Sequence, residues 1–245
     1  MSKKPHSRPL YSEFARLYES IFGEPDMSCV RFVEAAVPAP ARLLDAGCGT
    51  GQYAAMFAAR GYNVVASDRS AQMLRVGQCS RPDTAFVLAD LRLLPFKGCF
   101  DVVLARGVLN DLVKEDDLMA ALRAVAVALD EGGKFIADVR EREGHRSRIS
   151  MSPVVERRTA GMAFRASRHM DADGTVISIE QFAASDVWSS PYRFEMRTFT
   201  ERGVHDLWRE AGLTIVDIEP SYGVGSGLED RLVVVARRLG GRHAG

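Results

Sequence analysis

The sequence predicts an α/β fold: a doubly wound, mostly parallel sheet of seven strands, interrupted after the fifth strand by an antiparallel insertion. Three observations predict it. Short, nearly continuous apolar runs alternate with amphipathic segments from residue 42 to residue 139, the pattern of parallel strands covered on both faces. After Val139 this rhythm stops, and strand-like runs are joined by Asp171-Ala172-Asp173-Gly174, a good turn sequence. One further helix and two strands then complete the sheet. At 245 residues with 47% hydrophobic side chains, the chain suits one large core with a modest insertion, and its composition argues against intrinsic disorder.

The elements follow in order. Residues 11–37 carry helical apolar spacing at Phe14, Leu17, Tyr18, Ile21 and Phe22, then Val30, Phe32 and Val33, and Pro38 and Pro40 end it. Arg42 to Asp45 is a short buried strand that runs into glycines. Gln52 to Arg60 is a helix closed by Gly61. Asn63 to Ser67 and Thr84 to Leu88 are strands flanking a helix from Ser70 to Cys79. Phe100 to Ala105 is the fourth strand, Asp116 to Leu129 a helix, and Lys134 to Val139 the fifth strand. Glu141 to Arg148 reads as a charged loop. Ala163 to His169, Thr175 to Ala183 and Tyr192 to Phe199 read as three inserted strands. A helix capped by Thr200 and the strands Leu213 to Glu219 and Arg231 to Arg237 finish the chain. The organisation expected is an N-terminal helical lid over 1–37, a ligand-binding core over 38–140 and 200–239, and an insertion over 141–199 that covers a substrate site.

Charge and cysteine usage narrow the function. Thirty-two Lys and Arg balance 32 Asp and Glu, whereas a protein that grips a phosphate backbone usually carries a basic excess, so nucleic acid is a disfavoured partner. No apolar run approaches the roughly 20 residues that span a bilayer, and no membrane partner is expected. Lys3, Lys4 and Arg8 are not followed by an apolar signal stretch. Cys29, Cys48, Cys79 and Cys99 form no metal-ligand spacing, so no metal site is expected, and reduced thiols fit a cytoplasmic protein.

The informative stretch is Leu43-Leu44-Asp45-Ala46-Gly47-Cys48-Gly49-Thr50-Gly51. Glycines between a strand and a helix let the chain turn sharply and let a ligand approach the backbone. In dinucleotide enzymes the spacing is G-x-G-x-x-G; here it is G-x-G-x-G, with Gln52 at the third position of that fingerprint. Asp68 ends the second strand about 20 residues beyond the glycines, where a carboxylate can accept both hydroxyls of a ribose. Asp90 follows the third strand.

This set resembles motif I and the following acidic positions of class I S-adenosylmethionine-dependent methyltransferases. The likeness extends through Leu94-Pro95-Phe96, Phe100-Asp101-Val102-Val103-Leu104 and Gly132-Gly133. It implies a Rossmann-like core with S-adenosylmethionine as cofactor and S-adenosylhomocysteine as product. Carried over residue by residue, Gly47, Cys48, Gly49 and Gly51 would face the methionine part and ribose. Asp45 would orient the methionine ammonium or the loop, and Asp68 would hold the ribose. Arg69 and Met73 would flank the adenosine, and Asp90 and Leu91 would meet adenine. Ala105 and Arg106 would line the methionine end. Many relatives carry a small or hydroxyl residue where Arg106 stands; pairing with the methionine carboxylate and pointing to solvent are both open. More weakly, the insertion and Tyr192-Arg193-Phe194-Glu195-Met196-Arg197 resemble small-molecule enzymes of the glycine/sarcosine and deoxysugar-amine type.

That resemblance implies in-line methyl transfer to a nitrogen or oxygen of a small-molecule acceptor. The enzyme would act mainly by holding nucleophile and methyl carbon at near-attack distance. Tyr11 is a candidate cofactor lid. Tyr18, Arg140 and His145 are candidate substrate contacts, with a core aromatic competing for Tyr18 and a solvated loop histidine for His145. Asp111 reads as a base or, more simply, as loop packing. An RNA or protein methyltransferase is a competing reading, motivated by the basic N-terminus and by Arg146, Arg148, Arg157 and Arg158. A non-catalytic S-adenosylmethionine-binding protein is another.

Overall fold

The computed structural model describes residues 11–12, 15–22, 24–159, 162–185, 188–223 and 230–239. Lys3, Lys4, Arg8 and Phe14 lie outside them. The first elements are α1 (Tyr18–Phe22), preceded by a 3-10 turn at Ala15–Leu17, and α2 (Met27–Ala36). The single helical run expected over 11–37 is thus two helices. Pro25 disfavours helix at the residue before it, and Asp26 restarts the helix by accepting the Ser28 N–H at 2.8 Å.

The core elements follow as β1 (Arg42–Ala46), α3 (Gln52–Ala58), β2 (Asn63–Asp68), α4 (Ala71–Ser80), β3 (Ala85–Leu88), β4 (Phe100–Arg106), α5 (Glu115–Ala128) and β5 (Leu129–Arg140). Next come α6 (Arg142–Met151), the inserted strands β6 (Val154–Thr159), β7 (Met162–Met170), β8 (Val176–Ser185) and β9 (Trp188–Arg197), and finally α7 (Glu201–Glu210), β10 (Leu213–Glu219) and β11 (Arg231–Arg238).

The seven-stranded sheet has the order β10-β11-β5-β4-β1-β2-β3. The five strands from β1 to β5 are mutually parallel, and β11 runs antiparallel to both β5 and β10. Strand order reverses between β1 and β4, so the crevice beyond their C-terminal ends is where a ligand fits. Successive strand residues serve opposite faces. Leu43, Val102, Ile136 and Val233 pack with Val30 and Phe57 under α2 and α3. Leu44, Val103, Phe135 and Val234 pack with Leu122 and Trp208 under α5 and α7.

The insertion differs from the sequence reading in two ways. Glu141 to Arg148 is not a loop. Glu141 accepts the Gly144 N–H at 2.5 Å as an N-cap, and α6 follows. The inserted sheet has four strands, ordered β6-β7-β8-β9 and antiparallel throughout; β6 was not expected. Three inserted strands and both closing strands lie where the sequence put them. No helix among the described residues is long and apolar enough to cross a membrane.

Trp208 is fully buried and stacks on Phe135 with ring centroids 6.2 Å apart, while its indole N–H has no hydrogen-bond partner. Trp208→Ala should therefore cost about 3–5 kcal/mol by leaving a cavity. Trp208→Phe, which deletes the orphaned N–H as well, should cost under about 1.5 kcal/mol. Urea denaturation of both variants checks the contrast, and equal losses would contradict it.

Candidate cofactor and active site

The turn after β1 is built by glycines that cannot be replaced cheaply. Gly47 has φ +79, and a Cβ there would lie 2.6 Å from Val108 Cγ2. The Gly47 and Cys48 N–H groups donate to Ser67 O at 2.7 and 2.9 Å, which ties the turn to the tip of β2. Gly49 N–H donates to Asp68 Oδ2 at 2.9 Å, and Ser70 N–H to Oδ1 at 2.8 Å. Each carboxylate oxygen of Asp68 keeps a lone-pair direction for a further donor.

Around this turn lies a pocket of about 770 Å³ lined by Tyr11, Tyr18, Gly47, Gly49, Asp68, Arg69, Met73, Ala89, Asp90, Leu91, Arg106, Gly107, Val108, Asp111 and Leu112. Nine of the residues singled out from the sequence as cofactor contacts therefore come together, joined by Tyr18. Met73 and Leu91 supply apolar walls. Tyr11 and Tyr18 cover one side, with rings 5.7 Å apart, and α1 is tethered over the turn by Glu19. Its Oε1 accepts from Thr50 Oγ1 at 2.5 Å and from Arg81 Nη1 at 2.9 Å. Arg106 does not point to solvent. Its guanidinium lies 4.7 Å from the centroid of the Tyr53 ring, and Asp138 keeps it charged against the opposing effect of burial.

Asp90 does two things. It caps the 3-10 turn at Leu91–Leu93 by accepting the Arg92 N–H at 2.9 Å, and it takes the Arg92 guanidinium through both oxygens at 3.0 and 2.7 Å. Arg92 holds its carboxyl below the usual range, so it stays an anionic acceptor at the pocket wall.

Residues 44–137 match the model of the methyltransferase-domain family. The fold matches an S-adenosylmethionine-bound amino pentose methyltransferase from Micromonospora echinaspora, with a TM-score of 0.70, 21% identity, and coverage of 97% of this chain and 100% of that one. Residues 44–137 thus resemble a methyltransferase domain. In sequence it is 31% identical over 136 residues to the protein YqeM of Bacillus subtilis, named as a methyltransferase, covering 53% of this chain and 55% of that protein. It is 29% identical over 208 residues to the cypemycin N-terminal methyltransferase of a Streptomyces species, covering 81% of this chain and 83% of that one. Apart from that Streptomyces protein, the chain spans about half the length or less of the curated relatives it matches, as with YqeM at 55% and a demethylmenaquinone methyltransferase of Renibacterium salmoninarum at 41%.

The pocket suits S-adenosylmethionine in three respects: a backbone cradle that a Cβ would fill, a carboxylate with spare acceptor sites at the β2 tip, and apolar lining at Met73 and Leu91. Four residues expected to contribute directly do not line it. Asp45 is 3% exposed, and the Ala54 backbone on α3 lies close enough to favour its charged form against burial. The Cys48 side chain packs against the buried cluster of Leu43, Phe57 and Val102. Gly51 is the N-cap of α3, and a Cβ there would lie 2.6 Å from the Phe86 ring. Ala105 is buried against the α5 layer.

Arg140 and His145, read from the sequence as substrate contacts, do not line this pocket, and His145 is not a solvated loop histidine. His145 is 2% exposed on α6, with Nδ1 bonded to Asp230 and Nε2 within 3.4 Å of Arg140 Nη1. Val108, Asp111, Leu112 and Ala89 line the pocket without having been singled out as cofactor contacts. Their only sequence signal is their place just after β3 and β4, at the ligand end of the sheet. Among the described residues no group of His, Cys, Asp or Glu is arranged to hold a metal ion.

Burial, reinforced by the nearby Asp68 carboxylate, pushes the Asp45 carboxyl up to about 7, and its Oδ2 has no partner. The folded chain then keeps a proton that the unfolded chain releases between about pH 4 and pH 7, so the stability due to this group falls as pH rises through that window. Asp45→Asn should remove the slope. Denaturant titrations should show the variant gaining on the wild type from pH 4 to pH 7 and holding a constant advantage above. A difference independent of pH would contradict the assignment.

Proposed function

We propose that this protein transfers the methyl group of S-adenosylmethionine to a nitrogen or oxygen of a small molecule. The observation that carries the reading is the convergence of the Gly47–Gly49 turn, Asp68 and Asp90 on one pocket closed by Tyr11 and Tyr18. In this reading residues 1–37 act as a lid, and residues 141–199 cover the acceptor. The names of the Streptomyces and Micromonospora proteins, one a cypemycin N-terminal and one an amino pentose methyltransferase, support an amine as the acceptor class.

When bound, the sulfonium cofactor supplies an activated methyl group. Everything else falls to the chain. The backbone at Gly47 and Gly49 and the Arg106 guanidinium would hold the methionine end. Asp68 would take the two ribose hydroxyls, and Asp90 the adenine amino group. Tyr11 and Tyr18 exclude water from the transfer, which strengthens every electrostatic contact inside. Fixing the two partners in line can supply about 7–11 kcal/mol of the barrier. A neutral amine needs no base for the methyl step, whereas a hydroxyl does; the lining carboxylate not assigned to the cofactor is Asp111.

Asp68→Ala deletes both ribose hydrogen bonds. Each charge-assisted bond is worth about 1.5–3 kcal/mol, so S-adenosylhomocysteine should bind roughly 100-fold or more weakly. Titration calorimetry on wild type and variant, with circular dichroism to confirm folding, checks it. Unchanged affinity would defeat the ribose assignment.

A further inference from the structure

The helix α1 carries Tyr18 to the cofactor pocket and is held there by bonds made outside it. Tyr18 lies against the glycine turn: a Cβ on Gly49 would come within 4.0 Å of Tyr18 Cε1 and 3.2 Å of Met73 Cε. With five residues, α1 is too short to be stable by its own cooperativity. Behind it, between the lid and α4, runs a groove lined mostly by polar side chains, among them Ser12, Arg16, Gln72, Arg75 and Gln78. On that side the lid meets the core through discrete polar ties. At the front, Ser70 Oγ donates to Tyr11 O, and the Ser70 N–H donates to Asp68 Oδ1 at 2.8 Å. At the back, Glu19 Oε1 accepts from Thr50 Oγ1 at 2.5 Å and from Arg81 Nη1 at 2.9 Å.

The bonds of Glu19 join three elements. Thr50 belongs to the glycine turn and is 1% exposed. Arg81 is the C-cap of α4, and its Nη1 also lies 3.4 Å from Thr50 O. Although burial opposes it, Arg81 and Thr50 hold the Glu19 carboxyl below its ordinary range, so it is anionic at neutral pH. The Glu19 and Arg81 side chains are 31% and 19% exposed, so salt screens the pair only in part. None of Glu19, Thr50 and Arg81 lines the cofactor pocket. Whatever they do to a ligand there passes through the position of α1 and the turn.

We propose that Glu19 is a positioning residue for the transfer: as a latch on Thr50 and Arg81 it holds Tyr18 over the bound cofactor, and its opening sets the rate at which the spent cofactor leaves. The inference rests on the S-adenosylmethionine reading above and adds the control of exchange at that site. Because the latch contacts only the chain, its loss lowers a barrier crossed in both directions and changes affinity less.

Surface plasmon resonance on the full chain, with S-adenosylhomocysteine as analyte, measures both rates in wild type, Glu19→Ala, Arg81→Gln, the double variant and Ser20→Ala. Dissociation should quicken about tenfold in Glu19→Ala, the share of one charge-assisted hydrogen bond. Association should quicken with it, leaving the dissociation constant within about threefold of wild type. Arg81→Gln should move both rates the same way, and the double variant should be no faster than Glu19→Ala, since both remove one latch. Ser20→Ala, exposed on the same helix, should leave both rates unchanged. Circular dichroism confirms folding, and should Glu19→Ala not fold, Arg81→Gln carries the comparison.

A lowered melting temperature with both rates unchanged would mark a structural tie only and overturn the latch. So would a loss of affinity carried by slower association, or additive effects in the double variant. Each of these leaves the cofactor reading in place. Absent S-adenosylhomocysteine binding in folded wild type would overturn that reading and the latch with it.

Discussion

The structure depends on the attachment of one glycine turn to the tip of the neighbouring strand. Two successive N–H groups, of Gly47 and Cys48, converge on the single carbonyl of Ser67, and a third, of Gly49, reaches the Asp68 carboxylate. The three bonds fix the end of β1 against the end of β2 and leave the turn open on the ligand side. They hold only because the backbone there adopts positive φ and passes within side-chain distance of Val108. Glycine is the residue that tolerates both demands.

From that attachment the rest of the pocket follows. Gly51 starts α3 with no side-chain cap, and the Ala54 backbone near its start faces the Asp45 carboxylate. Phe86 fills the space left by the missing Cβ atoms of Gly51 and Gly77, so α4 lies close to the turn and Met73 reaches the pocket from it. The order of strands then brings the β4 end, with Arg106 to Leu112, to the opposite wall. Two carboxylates, Asp45 and Asp68, are buried near one another, and burial raises both. Such an arrangement is unfavourable in the empty protein. It is the kind of strain a cationic ligand relieves, and it places negative potential where a sulfonium and an ammonium would sit.

Much of this was legible in the sequence, for a physical reason. Parallel strands buried on both faces read as apolar runs whatever surrounds them, so β1 to β5 could be placed. The glycines, Asp68 and Asp90 sit at fixed offsets from strand ends. The direction of a side chain was not legible. Asp45, Cys48, Gly51 and Ala105 lie within a residue or two of the pocket lining and yet are not part of it; at Ala105, beside Arg106, alternation along β4 sends neighbours to opposite sides. The helix α6 was missed because it is charged almost throughout, with His145 and Ile149 as its buried pair, and because Glu is not a common N-cap. The strand β6 was missed for the same polarity: Val-Val-Glu-Arg-Arg-Thr has little apolar alternation. The polar cluster of Asp138, Arg140, His145 and Arg231 joins β5, α6 and β11, so only the closed fold assembles it.

The central claim is that this turn and the two strand tips beside it hold an adenosyl sulfonium. A crystal structure determined with S-adenosylhomocysteine tests it most directly. The ribose hydroxyls should lie within hydrogen-bonding distance of the Asp68 carboxylate, with adenine between Met73 and Leu91 and the sulfur facing the β4 side of the pocket. A nucleoside found elsewhere on the chain, or strand tips covered by protein while it binds, would contradict the account.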